Sequence, residues 1–317
     1  MVKLKPACKD YLWGGESLKK LYHKDTPLAP LAECWELSTH PDGPCTVASG
    51  RFSGMPFPQY LKKLGRAALG ENCARFSQFP VLIKFIDAQK PLSIQVHPDD
   101  AYAQSHEGGY GKTEMWYVLD CDPGAFLYYG VERAVTRQEL QDAIQNDTVC
   151  DLLRRVPVKK GDVFFIPAGT LHAIGAGIRI CEIQQNSNLT YRVYDYGRAD
   201  KDGNLRPLHI RQALEVAALQ PSPAYLESTA DKPENTSAQE LAQCEYFKTV
   251  LYSVADECTL SVTSESFLSL TFVEGSGVIE NQNDALFFSA GDSLFLPADS
   301  GSATLRGHFQ CIAVTVP

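Results

Sequence analysis

The chain has 317 residues, 44% hydrophobic and 21% charged, with a formal net charge of −9 at pH 7. That length suits two β-domains or one elaborated domain, with apolar surface enough for a sizeable core. The acidic balance argues against general binding to nucleic acid or an anionic membrane, and no run of 18 apolar residues predicts a membrane-spanning helix.

Taken in chain order, the opening stretch "MVKLKPACKDYLWGGES" lacks the apolar segment of a signal peptide. Ten cysteines (Cys8, Cys34, Cys45, Cys73, Cys121, Cys150, Cys181, Cys244, Cys258 and Cys311) are scattered, with no C-x-x-C pair. They read as reduced thiols of a cytoplasmic protein, many serving as small buried hydrophobes, and exclude a cysteine-rich zinc site as the main chemistry. A helix is predicted over 56–70, then strands over 80–88, 92–97, 113–120 and 125–130. A second helix over 136–145 opens with Thr136 and Glu139 at capping-box spacing. Strands over 162–167 and 177–184 follow, then a helix over 208–219. Residues 220–239 are rich in Pro, Ser, Thr and charge and predict a polar linker. Strands over 247–254, 266–275, 293–297 and 310–316 complete a mainly β pattern: domains 1–219 and 240–317, with helices inserted in the first.

"GDVFFIPAGTLHAI" (161–174) and "GDSLFLPADSGSAT" (291–304) echo each other, each with a glycine turn, an apolar segment and a terminating proline. His172 in the first copy corresponds to Ser302 in the second. Chemistry at that position therefore belongs to the first copy.

Gly161, Pro167, Gly169 and His172 have the spacing of the second cupin motif, which fixes a turn, a strand end and a ligand together. In "PLSIQVHPDD" (91–100), strand alternation puts Ser93, Gln95 and His97 on one face; further on, Glu114 shares a face with Trp116 and Val118. Where the first cupin motif has His-x-His, this chain has Gln95-Val96-His97, with Glu114 further along. Two neutral imidazoles, a carboxylate and an amide oxygen form an N/O site suited to Zn²⁺, Fe²⁺, Mn²⁺ or Co²⁺.

"KPLSIQVHPDD", "GKTEMWYVL", "PAGTLHAIG" and "QQNSNLTYRVYDYGR", with "YLWGG" and "AECWELSTHPDGP" ahead of them, closely resemble type I mannose-6-phosphate isomerase over roughly residues 1–200. The length suits the compact bacterial branch of this cupin family, and the C-terminal cupin follows more weakly. The resemblance implies two cupin-type (jelly-roll) β-barrel domains, the second without metal ligands. It implies one Zn²⁺ per chain on Gln95, His97, Glu114 and His172, and interconversion of mannose 6-phosphate and fructose 6-phosphate through a cis-enediolate. Arg192 matches the family's active-site arginine, Glu182 an acidic position ten residues earlier, and Lys112 the lysine of its Lys-x-Glu-Met stretch. Gly111 stands where longer members have a histidine.

Glu182 is the first choice of base, with burial expected to raise its pKa, and Lys112 is its proton donor or oxygen partner. Arg192 reads as an electrostatic stabiliser or, structurally, as a partner of Asp195. Ser93, Lys84, Lys90 and Arg198 are the phosphate candidates. Two other functions fit the same residues: a non-catalytic sugar-phosphate-binding cupin and a different metal-cupin enzyme such as an Fe²⁺ dioxygenase. The partner expected is a small sugar phosphate, not nucleic acid or membrane; oligomeric state leaves no signature in the sequence.

Overall fold

The computed structural model describes residues 1–199, 203–222, 224–227, 236–282 and 284–317. Among these, three antiparallel sheets form the framework. The six-stranded sheet runs edge to edge as Val163–Ile166, Glu114–Cys121, Ile178–Gln185, Val81–Ala88, Glu33–Leu37 and Ala7–Lys9. The five-stranded sheet runs Tyr191–Tyr194, Ile94–Val96, His172–Ala173, Phe126–Val131 and Leu153–Pro157. These two face each other across a shared core that holds Trp116, Phe164, Ile178 and Ile180 from one and Leu127, Tyr129 and Val156 from the other.

The nine-stranded sheet is built mainly from residues 237–315, with Leu268–Glu280 and Gly301–Thr315 as its long central pair. Val2–Lys5 also joins it, between Ser293–Leu296 and Thr46–Val47. An aromatic cluster of Phe57, Phe79, Phe267 and Phe295 packs between this sheet and the first unit.

The strands expected from apolar patterning are all present, most with ends shifted by a residue or two. The final pair is longer than expected, because main-chain pairing continues past the apolar run through Gly277 opposite Gly307 to Glu280 opposite Thr304, where Arg306 donates to Glu280. Of the expected helix over 56–70, only Phe57–Leu64 is α-helical. Gly65, at φ 83°, ends it and 3₁₀ turns follow. Helix Arg137–Gln145 has the capping box in place, with Thr136 and Glu139 bonded reciprocally. The third expected helix spans Ile210–Val216.

Of the linker expected over 220–239, residues 223 and 228–235 lie outside the described residues. Before them, Tyr225 stacks on Phe164 and Leu226 bridges to Val163. After them, Ser237–Gln243 is a polar strand paired with Lys248–Val254.

Candidate active site and metal centre

Strand register lines up the chemistry. In the six-stranded sheet, Trp35 lies opposite Lys84, Lys84 opposite Glu182, and Glu182 opposite Trp116. In the five-stranded sheet, Gln95 has His172 on one side and Arg192 on the other. Directly opposed residues share a face, so each row gathers its side chains at one level of the barrel.

His97, Glu114 and His172 are all but fully buried, and their ligand atoms lie within 4.8 Å of one another. Each imidazole is anchored from behind: Nδ1 of His97 lies 2.8 Å from the Leu189 carbonyl, and Nδ1 of His172 lies 2.8 Å from the Thr170 carbonyl. A carbonyl only accepts, so Nδ1 donates and the Nε2 lone pairs point inward. They face Glu114, at 3.5 Å for His97 and 3.4 Å for His172. Glu114 Oε1 and His172 Nε2 are buried without a hydrogen-bond partner. Two acceptors facing one another in a dry site are costly unless a cation joins them. Burial, then the Lys112 ammonium, lowers both imidazoles, His172 to about 4, which keeps them neutral donors. Two such imidazoles, a carboxylate and the adjoining Gln95 amide fit a divalent N/O-site metal ion.

Beside this centre runs a buried chain of alternating charge. Glu33 lies 3.6 Å from Lys84, Lys84 3.3 Å from Glu182, and Glu182 3.7 Å from Lys112, which donates to Glu114 and, at 3.2 Å, contacts His97 Nε2. Trp116 Nε1 donates to Glu182 at 2.9 Å, and Trp35 Nε1 to Glu33 at 2.7 Å. The raised pKa expected for Glu182 is corrected here. Burial does push it up, but Lys112, Lys84 and the Trp116 donor outweigh that and hold it at about 2. Desolvation won the sequence argument only because its two lysine neighbours are distant in sequence. Glu114 moves the other way, up to about 7, from burial and the Glu182 charge.

A cavity of about 260 Å³ opens onto this cluster, and Ser93, Lys84, Gln95, Lys112, Glu182 and Arg192 all line it. Lys90 is exposed and does not line it. Arg198 also stands apart, donating to the Pro91 carbonyl and to Asp195. Arg206, which no sequence pattern flagged, does line the cavity and donates to Asp195 at 2.7 Å. Asp195 is thus held by Arg198 and Arg206, while Arg192 donates to the Pro207 carbonyl at 3.0 Å and keeps a buried, unpartnered Nε. Glu33, also unflagged, lines the wall; alternation with Trp35 in "AECWEL" was its one signal. At Gly111 a Cβ would come within 2.5 Å of the Asp99 backbone, so no side chain fits there.

Comparison with known proteins places the chain in a family. A family model described as "Phosphomannose isomerase type I, catalytic domain" matches residues 1–120, and one described as "Mannose-6-phosphate isomerase, cupin domain" matches residues 237–316. The chain is 37% identical over 309 residues to mannose-6-phosphate isomerase ManA of Bacillus subtilis, covering 97% of this chain and 96% of that one. It is also 37% identical over 306 residues to the mannose-6-phosphate isomerase of Streptococcus mutans, covering 95% and 94%. Among solved structures, the mannose 6-phosphate isomerase from Bacillus subtilis superposes with a TM-score of 0.90 at 35% identity, covering 99% of this chain and 98% of that one. Mainly β, cupin-built and matched along nearly its whole length, the chain belongs to the type I mannose-6-phosphate isomerases.

Proposed function

We propose that this chain interconverts mannose 6-phosphate and fructose 6-phosphate in the cytoplasm through a cis-enediolate, with one Zn²⁺ on Gln95, His97, Glu114 and His172. One observation carries the reading: two inward-facing imidazole nitrogens and an unpartnered carboxylate oxygen meet beside a cavity walled by Glu182, Lys84, Lys112 and Arg192. The metal supplies Lewis-acid polarisation of a hydroxyl or carbonyl oxygen.

The remaining tasks fall to the chain's own groups. Moving a proton between C1 and C2 needs a base beside a carbon acid and positive charge beside the oxygens. Glu182 is ionised and fixed by Trp116 and Lys84, which suits it to take the proton. Its carboxylate is held on the cavity wall by Trp116, Lys84 and Lys112, placed to take a proton from one carbon and return it to the next. Lys112 lies within reach of both Glu182 and the metal ligands and can donate to a developing oxyanion. Arg192 offers a second fixed charge across the cavity. Ser93, Lys84 and Arg206 on the same walls supply a hydroxyl and positive charge for the phosphate. In this reading residues 1–219 hold the chemistry and 240–317 form a second cupin without metal ligands.

The test is fructose 6-phosphate formation from mannose 6-phosphate by zinc-loaded protein, chelated protein and His172→Ala. Turnover lost on chelation, restored by zinc and absent in the variant is expected. A folded, zinc-loaded wild type that binds the substrate without turning it over would instead select the sugar-phosphate-binding function.

A further inference from the structure

Cys8 and Cys34 lie directly opposite each other on antiparallel strands Ala7–Lys9 and Glu33–Leu37, with their sulfurs 3.2 Å apart. Opposed residues of an antiparallel pair have Cα atoms about 4.5–5.5 Å apart, inside the range that disulfides span. Closure to a bond of about 2.0 Å therefore asks only that the sulfurs approach by roughly 1 Å.

The two sulfurs are unequally placed. Cys34 is fully buried, whereas Cys8 is partly exposed and lines a cavity of about 270 Å³ separate from the active site. Lys3, Lys5, His23 and Lys24 line the same cavity, with Lys3 paired to Asp292 and Lys24 to Glu36. Its hydrogen bond with Cys34 holds Cys8 below the usual thiol range, against burial and the Glu36 charge, and a lowered thiol is the more readily ionised nucleophile. An accessible sulfur backed by a buried one is the order needed for an attacking and a resolving thiol.

We propose that Cys8 and Cys34 form a redox site that closes reversibly into an intramolecular disulfide when a small hydroperoxide enters this cavity. The Cys8 thiolate attacks the peroxide oxygen, the O–O bond breaks, and Cys8 becomes a sulfenic acid as water or an alcohol leaves with a proton. The Cys34 sulfur then displaces hydroxide from Cys8. The S–S bond forms, and the Cys34 proton leaves with the hydroxide as water. Two thiols lose two electrons in total and one hydroperoxide gains them. An external dithiol reverses the exchange. The bond ties the edge strand to the strand bearing Glu33, which lines the active-site cavity.

The test treats the full chain with low equivalents of hydrogen peroxide under native conditions, alkylates free thiols and maps peptides without reduction. The Cys8 and Cys34 peptides are expected as one linked species, with titratable thiols falling by two from the ten in the sequence and returning with dithiothreitol. In Cys34→Ser, Cys8 is expected to be trapped by dimedone as a sulfenic acid. Cys8→Ser is expected to leave Cys34 unreacted. Recovery of both wild-type peptides alkylated and unlinked, at doses that oxidise other cysteines, would overturn the proposal. A link from Cys8 to a cysteine other than Cys34 would do the same. Because the wild-type map decides the matter, a variant that folds poorly does not weaken it.

Discussion

The two halves of the molecule build the same turn and fill it with opposite solvents. Gly161 at φ 89° and Gly291 at φ 96° occupy a left-handed region open to glycine, and lead into strands Val163–Ile166 and Ser293–Leu296. Pro167 and Pro297 follow these strands. Beyond them, His172 is fully buried while Ser302 is exposed. The first interior holds Lys84, Glu114, Lys112 and Glu182 in mutual contact, whereas the second holds Leu270, Phe272, Phe288 and Phe309. Phe272 and Phe288 stack with ring centroids 3.8 Å apart and planes 13° from parallel. Burying ions costs more than burying rings, so the charged interior is explained by its chemistry and the aromatic one by stability.

The comparison can be broken most sharply from the first half. His172→Ala is expected to strip bound metal and to lower turnover about 10⁴-fold or more, since metal-ion catalysis is worth several kcal/mol. Metal analysis by mass spectrometry alongside the isomerase assay checks both. In the second half, Phe272→Ala is expected to cost about 3–5 kcal/mol in denaturant unfolding while the folded fraction keeps its kcat.

Smaller effects sharpen the contrast. Glu182→Gln is expected to lower kcat about 100- to 1,000-fold with metal content retained, the range for losing an acid–base group. Proton exchange at C1 and C2 with solvent should fall in parallel. For Asp195, burial pushes the carboxyl up, but hydrogen bonds from Arg206 and Arg198 hold it below its ordinary value. A depressed folded-state pKa gives stability that is present above the unfolded value, about 3.9, and lost as pH falls through the folded one. Asp195→Asn should therefore be less stable than wild type by about 1–2 kcal/mol near neutrality, and the gap should narrow below about pH 4. Ser302→His should shift stability by no more than about 0.5 kcal/mol and bind no metal, because Ser302 is exposed and lies opposite Ser261, which offers no imidazole or carboxylate.

The clustering of His97 and His172 with Glu114, and of Gln95 beside them, was legible in the sequence because alternation and fixed turn spacing are local. Gln95 and His97 announce their shared face two residues apart, and His172 its place through Gly161, Pro167 and Gly169. What sits across from a residue on a neighbouring strand is not local. The Lys84–Glu182–Trp116 row, and with it the reversal of the Glu182 pKa, depends on a register that no single stretch encodes. Arg206 lies in a loop without periodicity, so nothing in its neighbours pointed to the cavity. The polar strand Ser237–Gln243 reads as linker because its pairing is by backbone, with only Leu241 buried. Helix Asp100–His106 escaped for a related reason: one buried residue, Ala103, leaves no apolar stripe to detect.

The insertion of Val2–Lys5 into the nine-stranded sheet sets a clock on synthesis. These residues are translated long before Ser293–Leu296, their partner strand, and at about 5–20 residues per second the wait is roughly 15–60 s. For most of it, Val2 and Leu4, both buried in the finished sheet, have the short Thr46–Val47 strand available on one side and no partner on the other. Such distant pairing is slow to nucleate and leaves an unpaired strand open to other chains. Sequence changes within residues 2–5 are thus expected to register first as a lower yield of folded enzyme, with the turnover of the surviving molecules unchanged.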